Sequence, residues 1–379
     1  MNQSTQYFKP ITKNQSNEDM VKSVSSEVPS DSTMYYSTPV IDSPSPNIFI
    51  GFNDDNNCFF CGTETGFYVY NTNQFRERFH REFDGGIGIV EIFGKSNIVA
   101  LVGGGTHPKF SPTNVVLWDD YQNKVLTNLE YSKEVRAVRC RDKKIMVVLH
   151  NKVLLYNFSD LHMIAQYETY NNPNGLCAIV SNQSNNNYKT ILAIPGGKMG
   201  DLRIEFLELK KSFAIAAHQN DLSQICLSID GTLCATTSNR GTLIRIWNTE
   251  DGTLRKELRR GIDQVNILSL AFSSDNSNIC LSSDKGTIHI YSLIDRQNAQ
   301  EHEKNKKSSL SFMKRYIPYL ASEWSLTSFS IPGNQASICC FSPNDNNIIM
   351  IITKEGKFYQ YRYIPGQDMV QLIKTAHYG

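Results

Sequence analysis

The sequence lacks a long apolar run, a surplus of either charge and any extended helical periodicity. No stretch approaches the roughly 18–20 apolar residues that cross a bilayer, so we expect any membrane contact to come from the surface. Lys and Arg number 38 against 37 Asp and Glu, whereas a protein that binds nucleic acid by bulk electrostatics normally has a basic excess. No nucleic-acid partner is therefore expected, and a local cluster must hold any bound anion.

The cysteine count and the start of the chain argue against a secreted disulfide framework. There are nine cysteines, an odd number, and the opening MNQSTQYFKP is polar. We therefore expect a cytoplasmic protein with reduced thiols. The pair Cys58 and Cys61 lacks the second Cys or His pair that a zinc site needs, and the sequence predicts neither a metal nor another cofactor.

Two regions differ in composition. Residues 1–45 are rich in Ser, Asn, Pro and Thr, and such a segment buries too little apolar surface to offset its ordering entropy, so we expect a disordered tail. From residue 46 to 379, short β-branched and aromatic runs alternate with Asn, Asp, Gly and Ser turns. This alternation predicts an all-β domain.

One unit recurs through that domain: a small turn, then a strand that ends in a bulky residue and a polar one. Its seven copies begin at Gly66, Asn114, Asn151, Gly200, Gly241, Gly286 and Gly356. Five of the six intervals lie between 37 and 49 residues, near the roughly 40–45 expected for a four-stranded WD-repeat blade. Seven copies predict a seven-bladed β-propeller, a ring that protects its sheet edges. Only Trp118-Asp119 keeps the Trp-Asp dipeptide, so a different all-β array is the alternative.

The sharpest local feature is Leu258-Arg259-Arg260-Gly261, which closes the fifth repeat. By repeat order it ends the outermost strand of a blade, and successive side chains on a strand point to opposite faces. We therefore expect Arg259 and Arg260 to serve two pockets, one on each side of that strand. Guanidinium suits such pockets because its planar fork grips phosphate and stays charged. Taken alone, an Arg-Arg pair is more often two solvated surface residues.

Hydroxyl and imidazole side chains accompany both arginines. Those predicted to share the first pocket with Arg259 are His218, Thr236, Ser238, Thr242 and Arg245. Those predicted to share the second pocket with Arg260 are Ser283, Thr287 and His289. Aligning the fifth repeat with the sixth superimposes their serine and threonine positions. Hydroxyl, imidazole and guanidinium groups are the usual donors of a phosphate site.

The stretch from about 213 to 295, with its Leu-Arg-Arg-Gly, resembles the PROPPIN family of WD-repeat proteins that interact with phosphoinositides. GGGTHPKFSPTNVVLWDD (103–120) and SSLSFMKRYIPYLASEWSLTSF (308–329) resemble that family as well. The resemblance implies two pockets for phosphatidylinositol 3-phosphate or phosphatidylinositol 3,5-bisphosphate. It also implies a peripheral-membrane scaffold in autophagy, at the preautophagosomal structure, the endosome or the surface of the lysosome or vacuole.

The resemblance further implies a protein partner. Members with the Leu form of the motif engage a large autophagy lipid-transfer protein through their second and third blades, which here correspond to about 103–150. The candidate contact residues of that surface are Lys109, Phe110, Pro112, Arg139, Arg141, Lys143 and Lys144.

The last interval between repeats is 70 residues, which leaves an insertion at about 295–325. Its aromatic side chains lie beside Lys314 and Arg315, a composition that suits a bilayer interface. We expect a membrane-facing segment, with Phe312, Tyr316, Ile317 and Trp324 as its inserting residues. A loop packed back on its own blade is the alternative.

An enzyme has the least support. Cys234 and Arg240 have the C-x5-R spacing of phosphatase loops, but a strand follows them in place of the helix whose N-terminus helps to hold phosphate. No nucleophile, base and orienting group come together in the sequence. The remaining alternative is a generic WD-repeat interaction hub in which Arg259 and Arg260 are surface residues without a lipid.

Overall fold

A computed structural model describes residues 47–94, 96–184, 187–295, 304–306, 323–364, 367 and 369–379. The predicted tail and three of the predicted inserting residues, Phe312, Tyr316 and Ile317, lie outside these ranges. The described chain forms 29 strands in seven sheets. Together they make a seven-bladed β-propeller, which confirms the fold predicted from the repeats.

Each blade is built on four strands that pair antiparallel. Blade 1 contains β1 (Phe49–Phe52), β2 (Cys58–Thr63), β3 (Gly66–Asn71) and β4 (Arg76–Glu82). Blade 2 contains β5 (Ile87–Ile92), β6 (Ile98–Gly103), β7 (Asn114–Asp119) and β8 (Lys124–Glu130). Blade 3 contains β9 (Ala137–Arg141), β10 (Lys144–Val148), β11 (Lys152–Asn157) and β12 (Met163–Glu168). Blade 4 contains β13 (Ala178–Ser184), β14 (Asn187–Pro195), β15 (Asp201–Phe206) and β16 (Lys211–Ala216).

The last three blades carry the predicted motif and the insertion. Blade 5 contains β17 (Leu222–Leu227), β18 (Leu233–Ser238), β19 (Leu243–Asn248) and β20 (Leu254–Arg259), with β24 (Glu323–Trp324) added outside β20. Blade 6 contains β21 (Ile267–Phe272), β22 (Asn278–Ser283), β23 (Thr287–Ser292) and β25 (Thr327–Ser330). Blade 7 contains β26 (Ser337–Phe341), β27 (Ile348–Thr353), β28 (Lys357–Tyr363) and β29 (Val370–His377). A 3-10 turn at Pro332–Asn334 precedes β26.

The repeat anchors found in the sequence lie at the start of the third strand of each blade. Gly241 shows why glycine is favoured at this place. Its φ is +61°, and a Cβ atom there would lie 2.0 Å from the carbonyl oxygen of Val265. Only a residue without a side chain fits this turn without strain.

The core is divided among the junctions between blades. The described residues form seven buried apolar clusters, and each cluster joins two neighbouring blades. At the junction of blades 5 and 6, for example, Ile244 and Leu258 pack with Leu281 and Tyr291. Alternate side chains of a strand point to opposite faces, so every blade is buried on both faces and the ring needs no other core.

Blades 7 and 1 close the ring. The rings of Phe59 and Phe358 stack with centroids 5.6 Å apart. The side-chain amide of Asn47 donates to the carbonyl of Lys354 at 2.9 Å, and the backbone N–H of Gly379 donates to the hydroxyl of Tyr70 at 3.1 Å. Residues near the two ends of the described chain thus fix the same junction.

Candidate anion-binding sites beside strand β20

Arg259 is the last residue of β20 and lies on the face of blade 5 that packs against blade 4. It is paired with Leu243 of β19, two residues from Arg245 on the same face. Arg259 is only 8% exposed, and its backbone carbonyl accepts a hydrogen bond from the hydroxyl of Tyr291 at 3.1 Å. The position of this arginine is therefore fixed by β-pairing and by the neighbouring blade 6.

The first predicted pocket contains a buried hydrogen-bond network. The hydroxyl of Thr236, which is fully buried, accepts from the indole N–H of Trp247 at 2.9 Å and is 3.0 Å from Nε2 of His218. Trp247 was not among the residues predicted for this pocket. The network holds His218 and Thr236 on the face of blade 5 that also carries Arg259.

Arg245 is the second cation of this pocket, and its contacts are within the protein. Its guanidinium is 2.9 Å from Glu257 and donates to the carbonyl of Ala217 at 2.6 Å. Burial and, next, the charge of Arg245 lower the pKa of His218 to about 4. His218 is consequently neutral at pH 7 and contributes a hydrogen-bonding imidazole rather than a charge.

Ser238 and Thr242 flank the turn that leads into β19. Ser238 is 7% exposed, and its carbonyl accepts from the N–H of Gly241 at 2.8 Å. The carbonyl of Thr242 accepts from the N–H of Arg260 at 2.9 Å. Both residues therefore lie at the end of the blade where β20 ends.

Arg260 leaves β20 on the other face, toward blade 6. Its Nε donates to the carbonyl of Gly241 at 3.0 Å, and its guanidinium also contacts the carbonyl of Asp263. The residue is partly exposed. Two adjacent arginines thus take separate surroundings, as the strand alternation predicts.

The residues predicted for the second pocket lie together on blade 6. The hydroxyls of Ser283 and Thr287 are 2.7 Å apart. Burial and, next, the charge of Arg260 lower the pKa of His289 to about 4. Arg260 is therefore close enough to His289 for its charge to act on the imidazole, although the two belong to different blades.

The first and last residues of the Leu-Arg-Arg-Gly motif differ in how tightly they are packed. Leu258 is fully buried in the cluster between blades 5 and 6, so it anchors the end of β20. A Cβ atom added to Gly261 would have no neighbouring atom within 4 Å. Packing explains the leucine, whereas nothing in the structure explains the glycine.

The expectation that β20 is the outermost strand of its blade is wrong. Residues Glu323 and Trp324 form β24, which pairs in parallel with Leu258 and Arg259. The Arg259 guanidinium lies 5.9 Å from the centroid of the Trp324 ring. A two-residue strand has no recognisable pattern, which is why the sequence did not reveal it. Trp324 thus lies at the base of the insertion, partly buried.

Two arginines of the surface predicted for a partner protein form ion pairs with other blades of the propeller. Arg139 lies 3.6 Å from Glu91, and Arg141 lies 2.5 Å from Asp54. Burial raises the pKa of Asp54 to about 6 although Arg141 lowers it.

The remaining residues of that surface differ in exposure and in their contacts. Lys109 pairs with Asp84, and Phe110 packs edge-on against Phe83. Lys143, by contrast, is exposed.

The possible nucleophile in the sequence is not placed for catalysis. Cys234 is fully buried in β18, and burial raises the pKa of its thiol well above the usual range, whereas a nucleophilic cysteine needs its thiolate. All nine cysteines are free thiols. In the described ranges, no group of three or more His, Cys, Asp or Glu residues is arranged to hold a metal ion. The described residues also include no helix with the length and apolarity of a bilayer span.

The fold and the strand-end arginine pair define a WD-repeat-type propeller with two candidate anion sites. The sequence model of the PROPPIN family matches residues 47–324. The SVP1-like protein 2 of Pichia angusta is 34% identical over 326 residues, which cover 82% of this chain and 89% of that protein. Autophagy-related protein 18e of Arabidopsis thaliana is 33% identical over 321 residues, which cover 83% of each chain. The chain belongs to the PROPPIN family.

A solved structure supports the fold independently. The propeller in a complex of KlAtg21 with the coiled coil of AgAtg16 superposes with a TM-score of 0.69, at 20% identity, over 87% of this chain and 98% of that one. At this level of identity the likeness concerns the architecture.

Proposed function

We propose that this protein is a phosphoinositide-binding scaffold that is recruited to membranes carrying phosphatidylinositol 3-phosphate or phosphatidylinositol 3,5-bisphosphate, and that it acts in autophagy. One observation carries the proposal. Arg259 and Arg260 leave the same strand toward opposite faces, and each of the two blade junctions that they border also carries hydroxyl and imidazole side chains. The relative from Arabidopsis thaliana is named autophagy-related protein 18e, which supports the autophagy assignment.

The chemistry of each pocket suits a phosphate monoester. Guanidinium supplies charge and two parallel N–H donors. The neutral imidazoles of His218 and His289 add hydrogen bonds without adding charge. In the second pocket the hydroxyls of Ser283 and Thr287 already lie 2.7 Å apart, a separation at which both reach one phosphate group. Hydrogen bonds to charged groups contribute roughly 1.5–3 kcal/mol each.

The two candidate pockets and the described ends of the insertion lie at neighbouring blades. The first candidate pocket is at the junction of blades 4 and 5, and the second is at the junction of blades 5 and 6. The insertion at 295–325 connects β23 to β25, which are neighbouring strands of blade 6. A propeller that docks edge-on would bring all three to one bilayer. Two weak sites on a rigid body then reinforce each other through their effective concentration.

The insertion is proposed to add an apolar component to the membrane contact. Phosphate contacts are screened over a Debye length of about 8 Å at physiological salt, whereas burial of apolar surface contributes about 25 cal/mol per Å² without such screening. Phe312, Tyr316 and Ile317 are the candidates for deep contact. Trp324, at the base, would lie nearer to the headgroups.

The partner is proposed to be a large autophagy lipid-transfer protein that docks on the surface at about 103–150. This surface belongs to blades 2 and 3, while both pockets lie at junctions formed by blade 5. The seven-fold arrangement therefore leaves it far from the bilayer in an edge-on orientation. One face could bind the membrane while another holds the partner.

Liposome sedimentation tests the proposed function against a generic interaction hub. The intact chain is expected to pellet with vesicles of phosphatidylcholine that contain phosphatidylinositol 3-phosphate and to stay in solution with phosphatidylcholine alone. The double variant Arg259→Ala/Arg260→Ala is expected to stay in solution with both, at an unchanged melting temperature. Full pelleting of a folded double variant would contradict the proposal.

A further inference from the structure

The last residue of β24, Trp324, and the residue that follows it, Ser325, each contact a residue of one of the two proposed pockets. The ring of Trp324 lies under the Arg259 guanidinium at 5.9 Å. The hydroxyl of the next residue, Ser325, lies 3.4 Å from Nδ1 of His289. A short segment at the base of the insertion thus bridges the blade 5 and blade 6 sides of the site.

This segment is hydrogen-bonded to residues earlier in the insertion, and one of these is hydrogen-bonded in turn to β23 of blade 6. Asn305, which is 4% exposed, accepts from the N–H of Ser292 and donates to its carbonyl, each at 2.7 Å, and it also donates to Glu323 at 2.8 Å. The N–H of Trp324 donates to the carbonyl of Lys306 at 2.9 Å. These hydrogen bonds fix the backbone that carries the Trp324 side chain.

We infer that Trp324 is a positioning residue for Arg259, which orders the guanidinium for phosphate in the first pocket and leaves the second pocket unaffected. The inference rests on the proposed function. A free arginine side chain loses much rotamer freedom when it grips an anion, and a contact that orders it beforehand removes that cost from binding. The face of an indole ring provides such a contact without using the N–H donors of a guanidinium.

The expected change in phosphate affinity follows from the cost of ordering the arginine side chain. Ordering one flexible side chain before binding corresponds to about a threefold to tenfold change in affinity. Leucine keeps an apolar side chain on β24 but has no aromatic face. Phenylalanine keeps the face, and it should therefore restore most of the lost affinity.

The test measures binding of short-chain soluble phosphatidylinositol 3-phosphate to the full chain by calorimetry, with one pocket removed at a time. In the Arg260→Ala background, where the first pocket remains, Trp324→Leu is expected to weaken binding about threefold to tenfold, and Trp324→Phe to recover most of it. In the Arg259→Ala background, Trp324→Leu is expected to change nothing. Ser325→Ala, a change at the residue that follows β24, is expected to leave the first pocket unaltered.

Three outcomes separate the possibilities. An equal loss of headgroup affinity in both backgrounds would show that Trp324 only supports the fold. No loss of affinity in the Arg260→Ala background would show that the indole ring does not order Arg259. Either result overturns the inference. If Arg259→Ala and Arg260→Ala themselves leave headgroup binding unchanged, the proposed function fails and the inference falls with it. Melting temperatures of all variants distinguish these results from unfolding.

Discussion

Arg260 and His289 belong to different blades, yet the charge of Arg260 lowers the pKa of His289. Burial is the larger cause, and together the two effects bring the pKa to about 4. Arg259, one residue earlier, instead contacts Trp324 and lies opposite Leu243. The end of β20 thus directs one cation toward each of its neighbouring blades.

Arg260→Ala is predicted to raise the pKa of His289. Removing a nearby positive charge favours the protonated imidazole, but burial persists, so the pKa should rise from about 4 and remain below its ordinary value near 6.5. Chemical-shift titration of the imidazole from pH 7 downward measures the change. Arg259→Ala is the matched control, because that side chain lies on the other face. An unchanged pKa in Arg260→Ala would mean that the arginine does not face this pocket.

Gly241→Ala is predicted to destabilise the protein by at least about 1–2 kcal/mol, because the residue has a φ of +61° and the new Cβ would meet the carbonyl of Val265. Gly261→Ala meets open space and should change the free energy of unfolding by less than about 0.5 kcal/mol. Chemical denaturation of the two variants compares them directly. Equal stabilities would show that the turn before β19 adjusts more easily than its geometry implies.

The sequence predicted the propeller correctly because its turns and strands recur at regular intervals, and each anchor lies where a third strand begins. It also predicted that Arg259 and Arg260 diverge, since alternation along a strand is a local property. It could not predict β24, because the pairing of Trp324 with Arg259 joins residues 65 apart through two residues of strand. The network of His218, Thr236 and Trp247 likewise depends on packing between strands.

Replacing residues 308–322 with a Gly-Ser linker, which keeps β24, is predicted to leave soluble headgroup binding intact. Binding to vesicles should weaken, most visibly at high salt, because the apolar contribution is lost while the screened ionic contribution remains. Sedimentation with vesicles containing phosphatidylinositol 3-phosphate, at about 0.1 and about 0.5 M salt, measures the difference. If the shortened chain pellets as well as the parent at high salt, the insertion does not contact the bilayer.

Lys143→Glu is predicted to weaken capture of a large autophagy lipid-transfer protein while vesicle binding stays unchanged. Lys143 is exposed, so reversing its charge should leave the fold intact. Arg141 is a poorer choice, because its ion pair with Asp54 links blade 3 to blade 1. Pull-down with the purified partner and vesicle sedimentation are compared on one preparation. Loss of both activities together would place the partner and the membrane on one site.

The two-pocket arrangement is tested most directly by the stoichiometry of headgroup binding. Calorimetric titration of the full chain with short-chain soluble phosphatidylinositol 3-phosphate should give two sites per chain. Arg259→Ala and Arg260→Ala should each retain one site, and the double variant should retain none. A single site in the parent chain, abolished by either substitution, would mean that the two arginines share one ligand and would contradict the account.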